Sequence, residues 1–219
     1  MTDFEQDGRK RVIIEGITPQ VDSGRFPAKR TVGDQVRVEA DIFTDGYDAI
    51  SASLLTRRKD SDQWTDIPMR ALVNDRWTAS FRVAQLGRYG FKVQGWVDHF
   101  ETWRRDLLKR IAADTDAPVD YLIGADLVTA AAARAHGADA TWLLKRAAVL
   151  RSSAAPRDLR LHATDATLHE LVLRYPDKRF ATESEQELEI VVEPVRARFS
   201  SWYEFFPRST AAVAGMHGT

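Results

Sequence analysis

Apolar and polar residues alternate with a period of two through most of the first hundred positions. Val36, Val38, Ala40 and Ile42 fall on one face and Arg37, Glu39 and Asp41 on the other, the pattern of a half-buried strand. Thr44-Asp45-Gly46 supplies a turn, and Ile50, Ala52 and Leu54 mark the next strand. Trp64 to Met69 reads as a short extended segment, with Pro68 suited to a sheet edge because it donates no ladder hydrogen bond. Beyond the Asn74-Asp75 turn, Trp77, Ala79, Phe81 and Val83 point one way and Arg76, Thr78, Ser80 and Arg82 the other. From Arg88 onward Tyr89, Phe91, Val93, Gly95 and Val97 share a face. With Arg11 to Glu15, about six strands are predicted at the spacing of a β-sandwich. Tyr89, in Leu86-Gly87-Arg88-Tyr89-Gly90-Phe91, stands where immunoglobulin-like sandwiches place a tyrosine whose hydroxyl ties a corner to nearby backbone; an ordinary buried strand tyrosine fits the same letters.

Near Trp103-Arg104-Arg105-Asp106 the apolar spacing changes to three and four. Val119, Leu122, Ile123 and Leu127, then Val128, Ala131, Ala132 and Ala135, predict helix. Gly137 reads as a helix stop, Thr141 to Leu150 as another helix and Ser152 to Pro156 as a break. Leu168, Leu171, Val172 and Tyr175 form a further helical stripe that Pro176 ends. Alternation returns at Leu188, Ile190 and Val192, and Arg196 to Phe199 is predicted to continue extended. A strand resuming after the helices needs a sheet edge, and the Tyr89 to Val97 strand is the economical neighbour. The predicted fold class is mixed β and α: an immunoglobulin-like or fibronectin-like antiparallel β-sandwich with an inserted helical bundle. Residues 1–103 and 184–207 are assigned to the sandwich, 104–183 to the bundle and 208–219 to a connector.

Composition narrows the function. The 31 basic and 32 acidic side chains nearly cancel and are interspersed, so no sustained positive field is available for nucleic acid. Cysteine is absent, which removes disulfides and thiolate chemistry. No apolar leader and no stretch approaching ~20 apolar residues occurs, so neither secretion nor a membrane partner is expected, and the reading is cytoplasmic.

Candidate chemistry is sparse. No pair of carboxylates stands out for acid–base work, and no phosphate loop, dinucleotide fingerprint or nucleophile elbow occurs. His162, Asp165 and His169 have spacings that could gather metal ligands on one helix face, although helix-surface roles suit them better, and Thr164 or Asp165 could cap a helix. No catalytic, cofactor-binding or metal residue is assigned, and no cofactor is expected. Of the tryptophans, Trp77 is in phase with the core, whereas Trp96 is out of phase with Phe91 and Val93 and predicted to cover the inserted helices or meet a ligand. Trp64 and Trp103 flank loops and stay ambiguous.

Several stretches taken in order carry a resemblance. They are Val12-Ile13-Ile14-Glu15-Gly16, Gly24-Arg25-Phe26-Pro27-Ala28-Lys29-Arg30, Val38-Glu39-Ala40-Asp41-Ile42-Phe43 and Asp45-Gly46-Tyr47-Asp48. Leu86-Gly87-Arg88-Tyr89, Trp96-Val97-Asp98, Thr102-Trp103-Arg104-Arg105-Asp106 and Trp202-Tyr203-Glu204-Phe205-Phe206-Pro207-Arg208-Ser209 follow. From about Arg11 to the end the chain resembles the N-terminal part of the bacterial α-1,4-glucan:maltose-1-phosphate maltosyltransferases of the α-amylase superfamily. The resemblance implies a sandwich with inserted helices ahead of a (β/α)₈ barrel that moves maltosyl units from maltose 1-phosphate onto α-1,4-glucans. That barrel and its catalytic residues lie outside this chain, which is expected to be an inactive accessory fragment on its own, with the barrel of the same polypeptide as a partner. Trp202, Tyr203, Phe205 and Phe206 are expected to face that barrel. The resemblance also implies a homodimer made by the sandwich and helices, for which Leu127 and Leu144 are the candidate contacts. A stand-alone glucan-binding sandwich and an immunoglobulin-like protein-interaction module are the alternatives.

Overall fold

A computed structural model describes residues 8–199, 204, 206 and 211–216. Strands β1 (Val12–Thr18), β2 (Ala28–Thr31), β3 (Gln35–Thr44), β4 (Ile50–Arg58) and β5 (Thr65–Pro68) come first. They are followed by β6 (Arg70–Ala71), β7 (Arg76–Arg82), β8 (Gly87–Val97), β9 (Thr182–Glu183) and β10 (Leu188–Glu193). One sheet has the order β1-β3-β7-β6; the other has β2-β10-β8-β4-β5, with β9 also paired to β8. All pairings are antiparallel except β10 with β2.

The inward sets predicted from alternation are the ones that pack. Val36, Val38, Ala40, Ile42, Ala79 and Phe81 from the first sheet meet Leu54, Phe91, Val93, Leu188 and Ile190 from the second in one apolar core. Tyr89 belongs to this core, and its hydroxyl accepts from Gln85 N (3.2 Å) and donates to Gln85 O (3.3 Å), which closes the turn before β8. Trp77 is half-buried, with its indole nitrogen donating to Ile42 O at 3.1 Å. β10 lies beside β8 as expected, with Ile190 opposite Tyr89.

Five helices fall between β8 and β9 in chain order: α1 (His99–Ala112), α2 (Pro118–Arg134), α3 (Gly137–Leu150), α4 (Pro156–Ala163) and α5 (Ala166–Arg174). They share a second core, built around Phe100, Trp103, Leu107, Val128, Leu143 and Leu168. Trp103 packs directly on Gly124 in this core: a Cβ there would stand 2.5 Å from Trp103 Cε2.

The elements depart from sequence expectation in specific places. Helix begins at His99, ahead of Trp103, because Asp98 caps it and accepts from Glu101 N at 2.9 Å. Gly137 does not stop a helix; it opens α3 with φ +56°, while α2 has already ended at Arg134. The segment read as extended from Arg196 to Phe199 is a 3₁₀ turn over Val195–Arg198, entered through Pro194. Trp64 to Met69 is extended with Pro68 on an edge strand as expected, since β5 ends the larger sheet, but the chain then crosses after Met69 to β6 in the other sheet, which the sequence does not announce. β2 lacks a long alternating pattern, since Lys29 and Arg30 stand between buried Ala28 and Thr31, and it was not foreseen.

Candidate functional site

The chemistry-bearing region is the seam where helices meet sheet. β8 runs almost directly into α1, and the junction is fixed by interlocking polar contacts. Ser51 Oγ donates to Asp98 Oδ2 at 2.8 Å, and Asp98 N donates to Ala49 O at 2.8 Å. Ala49 N donates to Thr102 Oγ1 at 2.9 Å, and that hydroxyl donates to Asp98 O at 2.8 Å. At the far ends of α2 and α5, Arg134 donates to Ala130 O and Tyr175 O, both at 2.9 Å. Burial pushes the pKa of that guanidinium down, and Asp177 at 3.9 Å opposes the shift.

Beside this seam, a groove of about 950 Å³ opens between α5 and the strands β4, β5 and β6. Its sheet side includes Ser53, Asp66, Met69 and Trp96, and its helical side Glu101, His169, Leu173 and Lys178. The Lys178 ammonium donates to Ser53 Oγ at 3.2 Å, pairs with Asp66 and sits 4.6 Å from the centre of the Trp96 ring. Trp96 is thus 6% exposed. The segment after α5 covers its ring, and Trp96 also lines the groove. Glu101 and His169 are in direct contact across the groove's end.

A second feature lies on α2. Tyr121, Ala125, Val128, Ala131 and Ala132 face the helical core, yet Val119, Leu122 and Ile123 on the opposite side are each about half exposed. A helix apolar on both faces belongs between two surfaces, and this chain supplies one. Next to that ridge is a cleft of about 390 Å³ between α1 and α2, with Trp103, Leu107, Ile123 and Leu127 among its walls. Leu127 is half-buried and packs on the helical core, whereas Leu144 on α3 is 52% exposed.

The other sequence candidates separate. His162 lies in α4 and His169 in α5, with Asp165 between them as the N-cap of α5, accepting from Thr167 N at 2.8 Å. The three cannot share one helix face, because the chain turns between Ala163 and Ala166. His162 and Asp165 both meet Arg146, and His169 meets Glu101 instead. Trp103 is buried, donating its indole N–H to Asp120 O at 2.7 Å, and Trp64 is half-buried beneath the Arg57 guanidinium. Trp202, Tyr203 and Phe205 lie outside the described residues; Phe206 is exposed.

One cluster had no signal in sequence spacing. Arg160 of α4 reaches back to the loop between α1 and α2, where it bonds Asp116 Oδ2 at 3.0 Å and Oδ1 at 2.6 Å. Tyr121 donates to the same carboxylate. Arg160, then Tyr121, holds the Asp116 carboxyl below its ordinary range, while burial and Asp116 push the Tyr121 phenol up to about 12. The residues are 44 positions apart, so no local motif could announce them.

Comparison with known proteins assigns the chain. Residues 10–194 match the family model described as alpha-1,4-glucan:maltose-1-phosphate maltosyltransferase, domain N/S. Enzymes named alpha-1,4-glucan:maltose-1-phosphate maltosyltransferase are similar along nearly all of it. The Chlorobaculum tepidum protein is 46% identical over 217 residues, 97% of this chain and 32% of that one. That of Methylacidiphilum infernorum is 43% identical over 97% of this chain and 32% of its own, and that of Myxococcus xanthus 38% over 95% and 32%. The chain therefore spans about a third of the length of these curated relatives. With the match covering both sheets and all five helices, this chain belongs to the N/S-domain family of the alpha-1,4-glucan:maltose-1-phosphate maltosyltransferases.

Proposed function

We propose that this chain is the non-catalytic, assembly-forming N-terminal part of a cytoplasmic maltosyltransferase that uses maltose 1-phosphate and α-1,4-glucans. The family match over residues 10–194, with relatives about three times as long, is the observation that carries this reading. In it, the expected division into an immunoglobulin-like sandwich of 1–103 and 184–207 and an insertion of 104–183 is kept with its edges moved to the observed elements, since α1 starts at His99 and β9 pairs with β8. The return of β10 to pair with β8 after five helices and the Tyr89 corner both support that architecture. Residues 208–219 then lead toward a catalytic barrel, and Trp202, Tyr203, Phe205 and Phe206 face it; the exposed Phe206 ring supports a partner surface there.

The helices make the homodimer in this reading. A two-fold contact must be self-complementary, so one patch has to carry both a protrusion and a recess that fits it. The α2 ridge of Val119 and Leu122 beside the α1/α2 cleft has that form. Leu127 lines the recess, and Leu144 extends the exposed apolar surface to α3. A durable contact of this kind buries at least about 1,000 Å².

The five described tryptophans are all buried or half-buried, so no row of exposed indoles favours a stand-alone sugar-binding platform. To test the non-catalytic assignment, the chain is incubated with maltose 1-phosphate and a malto-oligosaccharide. No phosphate release is expected, and release abolished by a point substitution in this chain would refute it.

A further inference from the structure

We propose that the helical part swings on the sandwich as a hinged body, with the β8–α1 junction as its pivot and Lys178 as the latch that sets the width of the groove. The two apolar cores are separate. No residue of the sandwich core belongs to the helical one, and Trp96, buried between them, belongs to neither. The sheet face turned toward the helices is largely polar: Ser51, Ser53 and Leu55 on β4 stand opposite Trp96, Gln94 and Lys92 on β8. A polar contact between two bodies that each keep their own core lets their angle change, whereas a large shared apolar surface would fix it. The space left between them is the groove of about 950 Å³, whose walls come from both bodies.

Two chain crossings join the bodies, and they differ in kind. At the first, Asp98 caps α1 and accepts from Ser51 Oγ, and Ala49 bonds both Asp98 N and Thr102 Oγ1. Arg105 of α1 adds a bond to Tyr47 O close by. These contacts gather at one end of α1, so they locate an axis and leave the far side unbraced. The second crossing, residues 175–181, forms neither helix nor strand. Its start is held to the helices, where Arg134 donates to Tyr175 O at 2.9 Å, and its end to the sandwich, where Phe180 lies under the Arg9 guanidinium at 4.3 Å. Between these ends Lys178 bonds Ser53 Oγ at 3.2 Å, pairs with Asp66 and sits 4.6 Å from the centre of the Trp96 ring. The Asp66 side chain is 49% exposed, and a partly exposed ion pair and a cation–π contact are each weak. Thermal motion therefore releases this latch while both cores stay packed. Release moves α5 away from the β4–β5 edge and widens the groove.

The chain contains no cysteine, so introduced pairs are its only thiols. Spin labels on Val73→Cys, in the turn before β7, and Glu170→Cys, on α5, span the groove from exposed positions. Val73→Cys with Leu86→Cys, and Leu144→Cys with Glu170→Cys, are the control pairs within each body. Dipolar distance measurements use labelled chain diluted into unlabelled chain, which removes distances between copies. The spanning pair is expected to show a second, longer population that both controls lack. Lys178→Ala should enlarge that population by about threefold or more and leave the control distances unchanged. Salt at about 1 M, which screens the Lys178–Asp66 pair, should act in the same direction. A single narrow distance for the spanning pair, in the parent and in Lys178→Ala alike, would overturn the hinge. Two populations whose ratio Lys178→Ala leaves unchanged would overturn the latch, and a second population in either control would place the motion inside one body instead.

Discussion

Replacing Gly124 with alanine sets two forces against each other. In the middle of α2, alanine is favoured over glycine by about 1 kcal/mol through backbone entropy alone. Against this, the new methyl would stand 2.5 Å from Trp103 Cε2 and 2.7 Å from Cη2, far inside van der Waals contact. The indole has little room to withdraw. It is buried, its N–H is committed to Asp120 O at 2.7 Å, and its ring packs at 5.3 Å from that of Phe100. Overpacking of this kind costs about 1–3 kcal/mol, and a rigid, hydrogen-bonded ring places it at the upper end. The net expectation for Gly124→Ala is about 2 kcal/mol of destabilisation, a fall in Tm of about 4–8 °C for a chain of this size. Thermal melts followed by far-ultraviolet circular dichroism and by tryptophan fluorescence measure it. In the Trp103→Leu background the smaller side chain makes room, and Gly124→Ala should cost at least about 1 kcal/mol less there. A Gly124→Ala variant that melts higher than the parent would show that helix propensity outweighs the Trp103 contact and refute the packing argument.

Tyr89→Phe removes a hydroxyl that both accepts from and donates to Gln85, and it should lower stability by about 1–2 kcal/mol in guanidinium titration without changing the sheet signal. Asp165→Ala deletes the N-cap of α5 and is expected to destabilise by about 1 kcal/mol, read in the same titration. The folded pKa of Asp116 is depressed, chiefly by Arg160, so its contribution to stability is complete above the unfolded value of about 3.9 and is lost as pH falls through the folded value. The stability gap between the parent and Asp116→Asn should therefore be constant above pH ~5 and narrow below it, and a gap independent of pH would exclude the Arg160 clamp.

Period-two alternation made β3, β7 and β10 legible because each has one face in the core and the other at least partly open, and β8 because its core face is apolar while Lys92 and Gln94 interrupt the face turned toward the helical part. β2 escaped detection for the converse reason: it is four residues long, with charged Lys29 and Arg30 at its centre, and its place comes from parallel pairing with a strand 162 positions away, Ala28 opposite Ile190. The Met69 crossover between sheets was equally silent, since nothing in Trp64 to Ala71 distinguishes one edge from the other. On α2 the spacing of Val119, Leu122, Ile123 and Leu127 predicted helix correctly, but periodicity cannot say which of two apolar faces the chain itself covers; only the packed helices show that Val128 and Ala131 are inside. The groove and the Asp116 cluster join residues from distant elements through side-chain geometry. Lys178 meets Asp66 across 112 positions, a proximity that sequence spacing does not encode.

Sedimentation equilibrium of the 219-residue chain at micromolar concentration tests the assembly role most directly. The expected mass is twice the 24.7 kDa of one chain. Leu122→Asp should return it to a single chain with its circular dichroism unchanged, because Leu122 lies on the exposed side of α2, whereas a charge at half-buried Leu127 also strains the helical core. A single-chain mass at every concentration up to about 100 µM would contradict a dimer built by these helices.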